Sequence, residues 1–440
     1  MRKRYGVILA GAIMLAASAQ AEEREGCHLC GMYIDQYQAT SAILTTKEGK
    51  TEKTCGGADM LRLVAEEGGL AAFSSVTVHD WASGKEVPAA DATYVIGSDL
   101  VPDMIPNIIA FADQAGANKF MAEHGGQVLN FDQALLAVSP MGMTMPNRVN
   151  SAVPPPKGSL SVGVGFMSMV KDDLMMGSSD VEIPTFLAGT AGIKPIPPMI
   201  PKKMEAAGPM LMANYGITDR LAVTAKIADL DKTMTSQMRM GGVERETEHD
   251  GITDLELKLG YNLWRDDYYS KFITLMGNLN LPTGDFDTTL IKMPGLQLGT
   301  GSINAGAGVL GSLRFGDFWV HGELSHLVMP ENGDDYDFGD TSKIGAAVHY
   351  TPNYDLMLGL ELDATDTDQN EYLGVEVPNS GGRAVNLTAV ASWRFLSALG
   401  GNFSLNGSYG LPLYEDVNLY GLGADYAATV MLNFKQRFNY

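Results

Sequence analysis

The stretch Thr253-Asp254-Leu255-Glu256-Leu257-Lys258-Leu259-Gly260-Tyr261-Asn262-Leu263 changes polarity at almost every step. Leu255, Leu257, Leu259, Tyr261 and Leu263 share one parity, and Asp254, Glu256, Lys258, Gly260 and Asn262 the other. Successive side chains of a β-strand point to opposite sides, so this segment presents one apolar and one hydrophilic face. The same two-residue period recurs at residues 273–281, 303–315, 356–362 and 385–395, with Asn278, Asn280, Arg314, Asp355, Glu361, Asn386 and Arg394 on the opposite faces. Strands with lipid outside and water inside read this way. A soluble β-sandwich is the competing reading, and the length of these one-sided strands favours a barrel.

Turn signals divide the second half of the chain into about twelve strands, an even number as in single-chain bacterial barrels. Short connections fall at 218–220, 264–267, 316–317, 351–353 and 397–401, and long ones at 170–206, 231–250, 282–299, 330–340, 363–382 and 411–420. The strict alternation predicts short turns on the periplasmic side, long loops outside, and both termini in the periplasm. Val430, Leu432, Phe434, Phe438 and Tyr440 share one face, and an aromatic final residue is common in outer-membrane barrels. In the lumen, Asp254, Glu256, Lys258, Arg314, His321, Glu323 and Glu361 either line a channel or plug it through ion pairs. Acidic runs at 334–337 and 363–371 read as solvated extracellular loops.

The front of the chain has a different texture. Met1-Arg2-Lys3-Arg4, an apolar run at 6–17 and Ala19-Gln20-Ala21 have the order of a secretory signal peptide, with cleavage expected after Ala21. Residues 22–139 mix short strands, at 38–46 and 75–81, with helical spacing at 59–67 and 108–123, which predicts a small α+β domain. Residues 140–157, with Met141, Met143 and Met145 followed by Pro154-Pro155-Pro156, read as an extended linker into a barrel at 158–440. The fold class expected is therefore a small α+β N-terminal domain followed by an antiparallel transmembrane β-barrel.

A formal net charge of −21 argues against nucleic acid as a partner. No nucleophile-base constellation or phosphate loop is visible, so nothing requires an enzyme. Chemistry concentrates in Cys27-His28-Leu29-Cys30-Gly31-Met32, where two thiols and a thioether fall within six residues. Such soft donors favour Cu(I) over hard cations. A Cys27–Cys30 disulfide, a thioredoxin-like redox pair and structural zinc are the alternatives, whereas Gly31 stands where a c-type haem site needs histidine. The three cysteines, Cys27, Cys30 and Cys55, cannot all pair with one another, so at least one thiol is free or binds something.

Cys27 to Met32 with Tyr33 resembles the opening of the NosL family, copper-binding accessory proteins of nitrous oxide reductase assembly. The likeness continues through Thr54-Cys55, Asp59-Met60, Val78-His79-Asp80-Trp81, Asp91 to Val95, Met104, Phe111, Phe120, His124 to Leu129 and Phe131, over roughly residues 25–138. The resemblance implies a Cu(I) chaperone-type site with Cys27, Cys30, Met32 and Met104 as first ligands, and His28, Cys55 and His124 as further candidates. For His124 and His79 a structural role competes, and for Cys55 a role as a buried small residue. Family members are typically lipoproteins, but Ala21-Glu22 occupies the junction where their anchoring cysteine stands. The barrel is thus expected to supply attachment, and the destination of the metal is left open.

The barrel resembles outer-membrane transporter-like proteins associated with degradation of phenolic compounds. Methionines at 167, 169, 175 and 176 in the first long loop, and at 234, 238 and 240 in the second, offer thioethers able to pass Cu(I), or else adaptable packing. The functional expectation is copper(I) binding and trafficking at the cell outer membrane, with lipid, copper ion and a periplasmic copper protein as partners. The alternative is a passive channel for small hydrophobic or aromatic solutes with a structural front domain.

Overall fold

The computed structural model describes residues 24–138, 148–187, 198–399 and 401–437. The expected signal peptide, Met141, Met143, Met145, Phe438 and Tyr440 lie outside the described residues.

The front of the chain folds as β1 (Ala42–Thr46), β2 (Thr51–Thr54), α1 (Gly57–Glu66), β3 (Phe73–His79), β4 (Glu86–Pro88), β5 (Thr93–Ile96), β6 (Ile108–Phe111), α2 (Gln114–His124), β7 (Gln127–Leu129) and α3 (Phe131–Val138). One antiparallel sheet has the order β2-β1-β3-β4 and a second the order β6-β5-β7. Helix α1 buries Met60, Leu61, Leu63, Val64 and Ala65 against Leu44, Val78, Tyr94, Ile96 and Leu135, giving the unit its own core. Each of the larger side chains among them contributes roughly 1.5–3 kcal/mol on removal from water.

The helix expected over 108–123 is half strand. Ile108, Ile109, Ala110 and Phe111 are all buried, as in a strand covered on both faces, and the helix starts only after Asp113, whose carboxylate accepts from Gly116 N–H at 2.8 Å.

The rest is a closed antiparallel barrel. Its strands are β8 (Ser159–Gly177), β9 (Ser179–Asp180), β10 (Met199–Gly216), β11 (Leu221–Met238), β12 (Glu244–Ile252), β13 (Leu255–Arg265), β14 (Lys271–Leu281), β15 (Asn304–Phe315) and β16 (Phe318–Val328). They continue, around a loop strand β17 (Tyr336–Asp337), with β18 (Thr341–Tyr350), β19 (Leu356–Thr367), loop strands β20 (Glu371–Tyr372) and β21 (Val375–Glu376), β22 (Gly382–Ala398) and β23 (Gly401–Arg437). Eleven strands form the wall, with β9 and β12 as extra arms, and β8 closes it by pairing with both β10 and β23.

Strand β23 is itself two arms. Residues 401–417 pair with β22 and residues 417–437 with β8, while Phe403 and Phe434 bring their rings within 4.8 Å and Tyr409 and Tyr426 within 5.7 Å. Leu419, at φ 61°, sits at the reversal. Counted by arms the wall has the even number expected.

The opening stretch is oriented as its alternation demands. Leu259, Tyr261 and Leu263 are 49%, 45% and 52% exposed, whereas Asn262 is fully buried in the interior. No helix among the described residues is long and apolar enough to cross a membrane; the crossing surface is this outward apolar face.

Two of the expected long loops are largely strand. β8 runs on to Gly177, β10 begins at Met199, β11 reaches Met238, and β12 returns along β11. The hydrogen-bond ladder extends past the point where the hydrophobic alternation fades, because a ribbon in water needs no lipid face. Met167, Met169, Met175, Met176, Met234 and Met238 therefore lie on strands, not loops. Asp363 likewise belongs to β19 and is 1% exposed in the lumen, not part of a solvated run.

The front unit docks on the short-turn end of the barrel. Tyr354 enters its core and donates to Ala65 C=O at 3.2 Å, Asn402 donates to the same carbonyl at 2.9 Å, and Ser397 Oγ donates to Gly68 C=O at 2.9 Å. Gln133 donates to Asp317 at 2.8 Å. The described part of the expected linker, residues 148–157, threads the lumen. Arg148 pairs with Asp363 at 2.6 Å, Arg148 and Val149 N–H donate to Glu361, Asn150 donates to Glu323, and Ala152 N–H donates to Ser312 Oγ at 2.9 Å. Lys343 reaches both Glu323 and Arg148 C=O. Glu361 also accepts from His349 at 3.0 Å. Glu323, Glu361, Asp363 and Ser312 thus hold residues 148–152 inside the barrel as a plug-like segment.

Candidate metal centre

A tight loop sets the first thiols. Cys27 N–H donates to Met32 C=O at 2.7 Å and Gly31 N–H to Cys27 C=O at 2.9 Å, with Gly31 at φ 74°, a conformation glycine takes without strain. The third thiol follows β2 at the entry to α1. One helical turn later Asp59 projects back toward Cys55, because helix side chains lean toward the N-terminus and meet at a spacing of four. Gly56 and Gly57 let the helix entry pack tightly against β6 and the loop before it: a Cβ on Gly57 would lie 2.5 Å from Ile108 O, and one on Gly56 would collide with Asp103 Oδ2.

The ligand atoms of Cys27, Cys30, Cys55 and Asp59 all lie within 4.8 Å of one another. Cys30 Sγ is 3.5 Å from Cys55 Sγ, far beyond a disulfide bond of about 2.05 Å, and all three thiols are free. Cys27 Sγ stands 3.3 Å and Cys55 Sγ 3.7 Å from Asp59 Oδ2, whose other oxygen pairs with Arg62 at 3.3 Å. Met32 and Met104 pack against the buried part of the cluster together with Leu29 and Tyr37. Cys27 and Cys55 are buried and Cys30 is exposed, so the pocket opens to solvent through one thiol.

The three thiols are shifted in opposite directions. The hydrogen bond from Cys55 draws the Cys27 thiol down to about 6 against the opposing effect of burial. Although the residue is exposed, partial desolvation of its sulfur where it faces the cluster pushes the Cys30 thiol up to about 12. Donation to Cys27 and burial push Cys55 up as well. A soft cation takes such sulfurs as thiolates and displaces their protons as it binds.

The other candidates are placed elsewhere. His28 lies outside this cluster, with Nε2 3.8 Å from Glu52. His124 bonds Asp99 through Nδ1 at 2.9 Å and packs its ring on Phe120. His79 Nδ1 bonds Ser41 C=O at 2.8 Å. Asp59 is the cluster member that sequence reasoning did not propose as a ligand; its spacing of four from Cys55 was the available signal.

Fold and cluster together define a class: a closed antiparallel barrel with an apolar outer face, carrying on its short-turn end a small thiol-bearing α+β unit. The front of the chain matches a family directly, since residues 18–137 fit the family model described as NosL. The copper-binding lipoprotein NosL of Stutzerimonas stutzeri is 31% identical over 125 residues, which cover 26% of this chain and 65% of that protein. The chain thus spans slightly less than two thirds of this relative's length. Among solved structures, the COG4313 outer membrane channel from Pseudomonas putida F1 is similar at 14% identity and a TM-score of 0.48, over 65% of this chain and 98% of that one. The copper chaperone NosL from Shewanella denitrificans is similar at 26% identity and a TM-score of 0.24, over 25% and 88%.

Proposed function

We propose that the protein binds Cu(I) at the Cys27–Cys30–Cys55 cluster and handles copper at the outer membrane, where the barrel anchors the site. The observation that carries this reading is the convergence of three free thiols and a carboxylate within 4.8 Å, with Met32 and Met104 packed against them. The donor set fits a soft monovalent cation: thiolates and thioethers suit Cu(I), and the carboxylate with Arg62 serves better as a hydrogen-bonding neighbour than as a ligand. Cys30 admits the ion or the partner that exchanges it, while Cys27 and Cys55 hold it from within. This division suits a protein that receives and hands on metal, a periplasmic copper protein being the partner class. Residues 22–139 are then the copper-binding unit, residues 140–157 the segment leading into the lumen, and 158–440 the barrel. Binding and transfer, not catalysis, are the activity.

The test is anaerobic Cu(I) titration of the full chain in detergent against a chromogenic chelator. Tight binding in the wild type that disappears in Cys27→Ser/Cys30→Ser and weakens in Met104→Ala is expected. Wild-type protein that fails to compete with the chelator overturns the reading.

A further inference from the structure

We infer that the barrel lumen carries a binding site for a small organic anion, a monocarboxylate on a compact apolar body, seated between Lys258 and a wall of methionine and leucine. The site is separate from the thiol cluster and does not rest on the copper reading.

Parity turns the ammonium inward. On β13 the outward side chains are Leu259, Tyr261 and Leu263, so Glu256 and Lys258 face the lumen. Lys258 is thus a charge at a depth where the outer face of the same strand meets lipid, and a charge placed there needs a partner or a water-filled cavity. It has the cavity. A luminal space of about 270 Å³ is lined by Lys226, Glu256 and Lys258, by apolar side chains that include Met210, Met212 and Leu310, and by the threaded segment from Arg148 to Pro155.

Three observations give the cavity its sign and its ligand. First, most luminal carboxylates are taken up elsewhere. Glu323 accepts from Asn150 and Lys343, Glu361 from the Arg148 and Val149 N–H groups and His349, and Asp363 from Arg148, and none of the three lines the cavity. Second, of the three cations that do line it, Arg148 is committed to Asp363 at 2.6 Å and Lys226 to Glu256 at 2.7 Å, whereas Lys258 has no carboxylate within ion-pair distance among the described residues. Its ammonium reaches a neutral acceptor instead, Asn150 Oδ1 at 3.3 Å. The buried Oδ1 of Asn278, its cross-strand neighbour, accepts no hydrogen bond among the described residues, so the ammonium is turned from the wall toward the threaded segment. One positive charge is left over, which favours a monoanion and repels a cation. Third, the cavity suits an organic body. An apolar cavity of about 150 Å³ takes a benzene ring, so this one has room for a ring and its carboxylate, and thioethers make favourable contacts with ring edges. An inorganic anion would leave that apolar wall uncovered.

The experiment is calorimetric titration of the full chain in an uncharged detergent at low salt, with detergent alone as the blank. Benzoate and hexanoate are the anionic probes, benzyl alcohol the neutral one, benzylammonium the cation, and acetate the anion without an apolar body. Saturable binding of about one equivalent of benzoate or hexanoate is expected, at least about ten-fold tighter than benzyl alcohol or acetate, with benzylammonium excluded. Lys258→Met keeps the bulk of the stem and removes the charge. It is expected to weaken the anion by at least about ten-fold while benzyl alcohol binds as before. Glu256→Gln acts in the opposite direction, because it releases Lys226 to the cavity, and is expected to tighten the anion. A merely structural role for Lys258 would not produce that gain, so Glu256→Gln carries the test if Lys258→Met fails to fold. Cys27→Ser/Cys30→Ser/Cys55→Ser is expected to bind the anion like wild type. Anions that bind no tighter than benzyl alcohol, full affinity in Lys258→Met, or an anion weakened by Glu256→Gln each overturn the luminal site.

Discussion

The two halves of the molecule obey the same solvent physics with opposite geometry. In the front unit Leu61 is fully buried and apolar side chains point inward, whereas in the barrel Leu259 and Leu263 are about half exposed and Asn262, Glu361 and Asp363 are buried. Their sulfur chemistry divides in parallel. All three cysteines lie in the front unit, and the wall of the lumen carries methionine. Thiolate binds a soft ion tightly and reacts; thioether binds it loosely and does not. The contrast teaches that a residue's role follows from which side of its element faces which medium.

Truncation tests break or sharpen the comparison most strongly. Leu61→Ala is expected to destabilise the front unit by about 3 kcal/mol through loss of burial and a residual cavity, measured by urea unfolding followed at the front-unit signal. Leu259→Ala on the lipid face leaves no cavity and is expected to shift barrel stability by less than about 1 kcal/mol. Equal effects would show that the two halves are not inverted as described.

Next in size is the plug. Asp363 is buried and paired with Arg148, whose own side chain is over a third exposed. Arg148→Ala leaves the carboxylate to Asn386, 3.2 Å away, and is expected to cost about 2 kcal/mol. The accompanying rise in single-channel conductance of the reconstituted protein is the readout. Unchanged conductance would mean that the segment does not obstruct flow.

A comparable anchor holds the front unit. Asp80 accepts from Ser83 N–H, Ser83 Oγ and Ala112 N–H at 2.9, 2.6 and 2.9 Å. Burial opposes ionisation, but these hydrogen bonds outweigh it and hold the carboxyl below its usual value. The stabilisation is thus present above the unfolded-state pKa of about 3.9 and is lost as pH falls through the lower folded value. Asp80→Ala is expected to cost about 1.5–2 kcal/mol at neutral pH, and the gap to wild type should narrow in acid. The smallest effect is expected at His124, where Ala substitution removes a partly exposed pair worth less than about 1 kcal/mol and leaves Cu(I) affinity unchanged.

Much of this architecture was legible in the sequence. Alternation across residues 253–263 specified both strand and medium, and turn spacing specified the even wall. The errors have local causes. The apolar run at 108–111 lacks a period, so it reads equally as helix or buried strand. Hydrophilic ribbon beyond the lipid band carries no amphipathic signal, which hid the outer parts of β8, β10 and β11. The segment at 148–156 was recognised as extended, but its anchors Glu323, Glu361 and Asp363 lie some 170–215 positions away, and no local pattern encodes that threading. At the metal centre the cysteines announced themselves by type and spacing. Asp59 did not, because a lone acidic residue early in a helix is ordinary; only the turn after Cys55 brings it back to the sulfurs.

The most direct test of the central claim is copper K-edge X-ray absorption on the full-length protein loaded with one equivalent of Cu(I), compared with Cys27→Ser/Cys30→Ser/Cys55→Ser. A first shell of sulfur alone, lost or replaced in the variant, is the predicted result. A nitrogen-dominated shell, or one unchanged when the three cysteines are removed, would contradict the account.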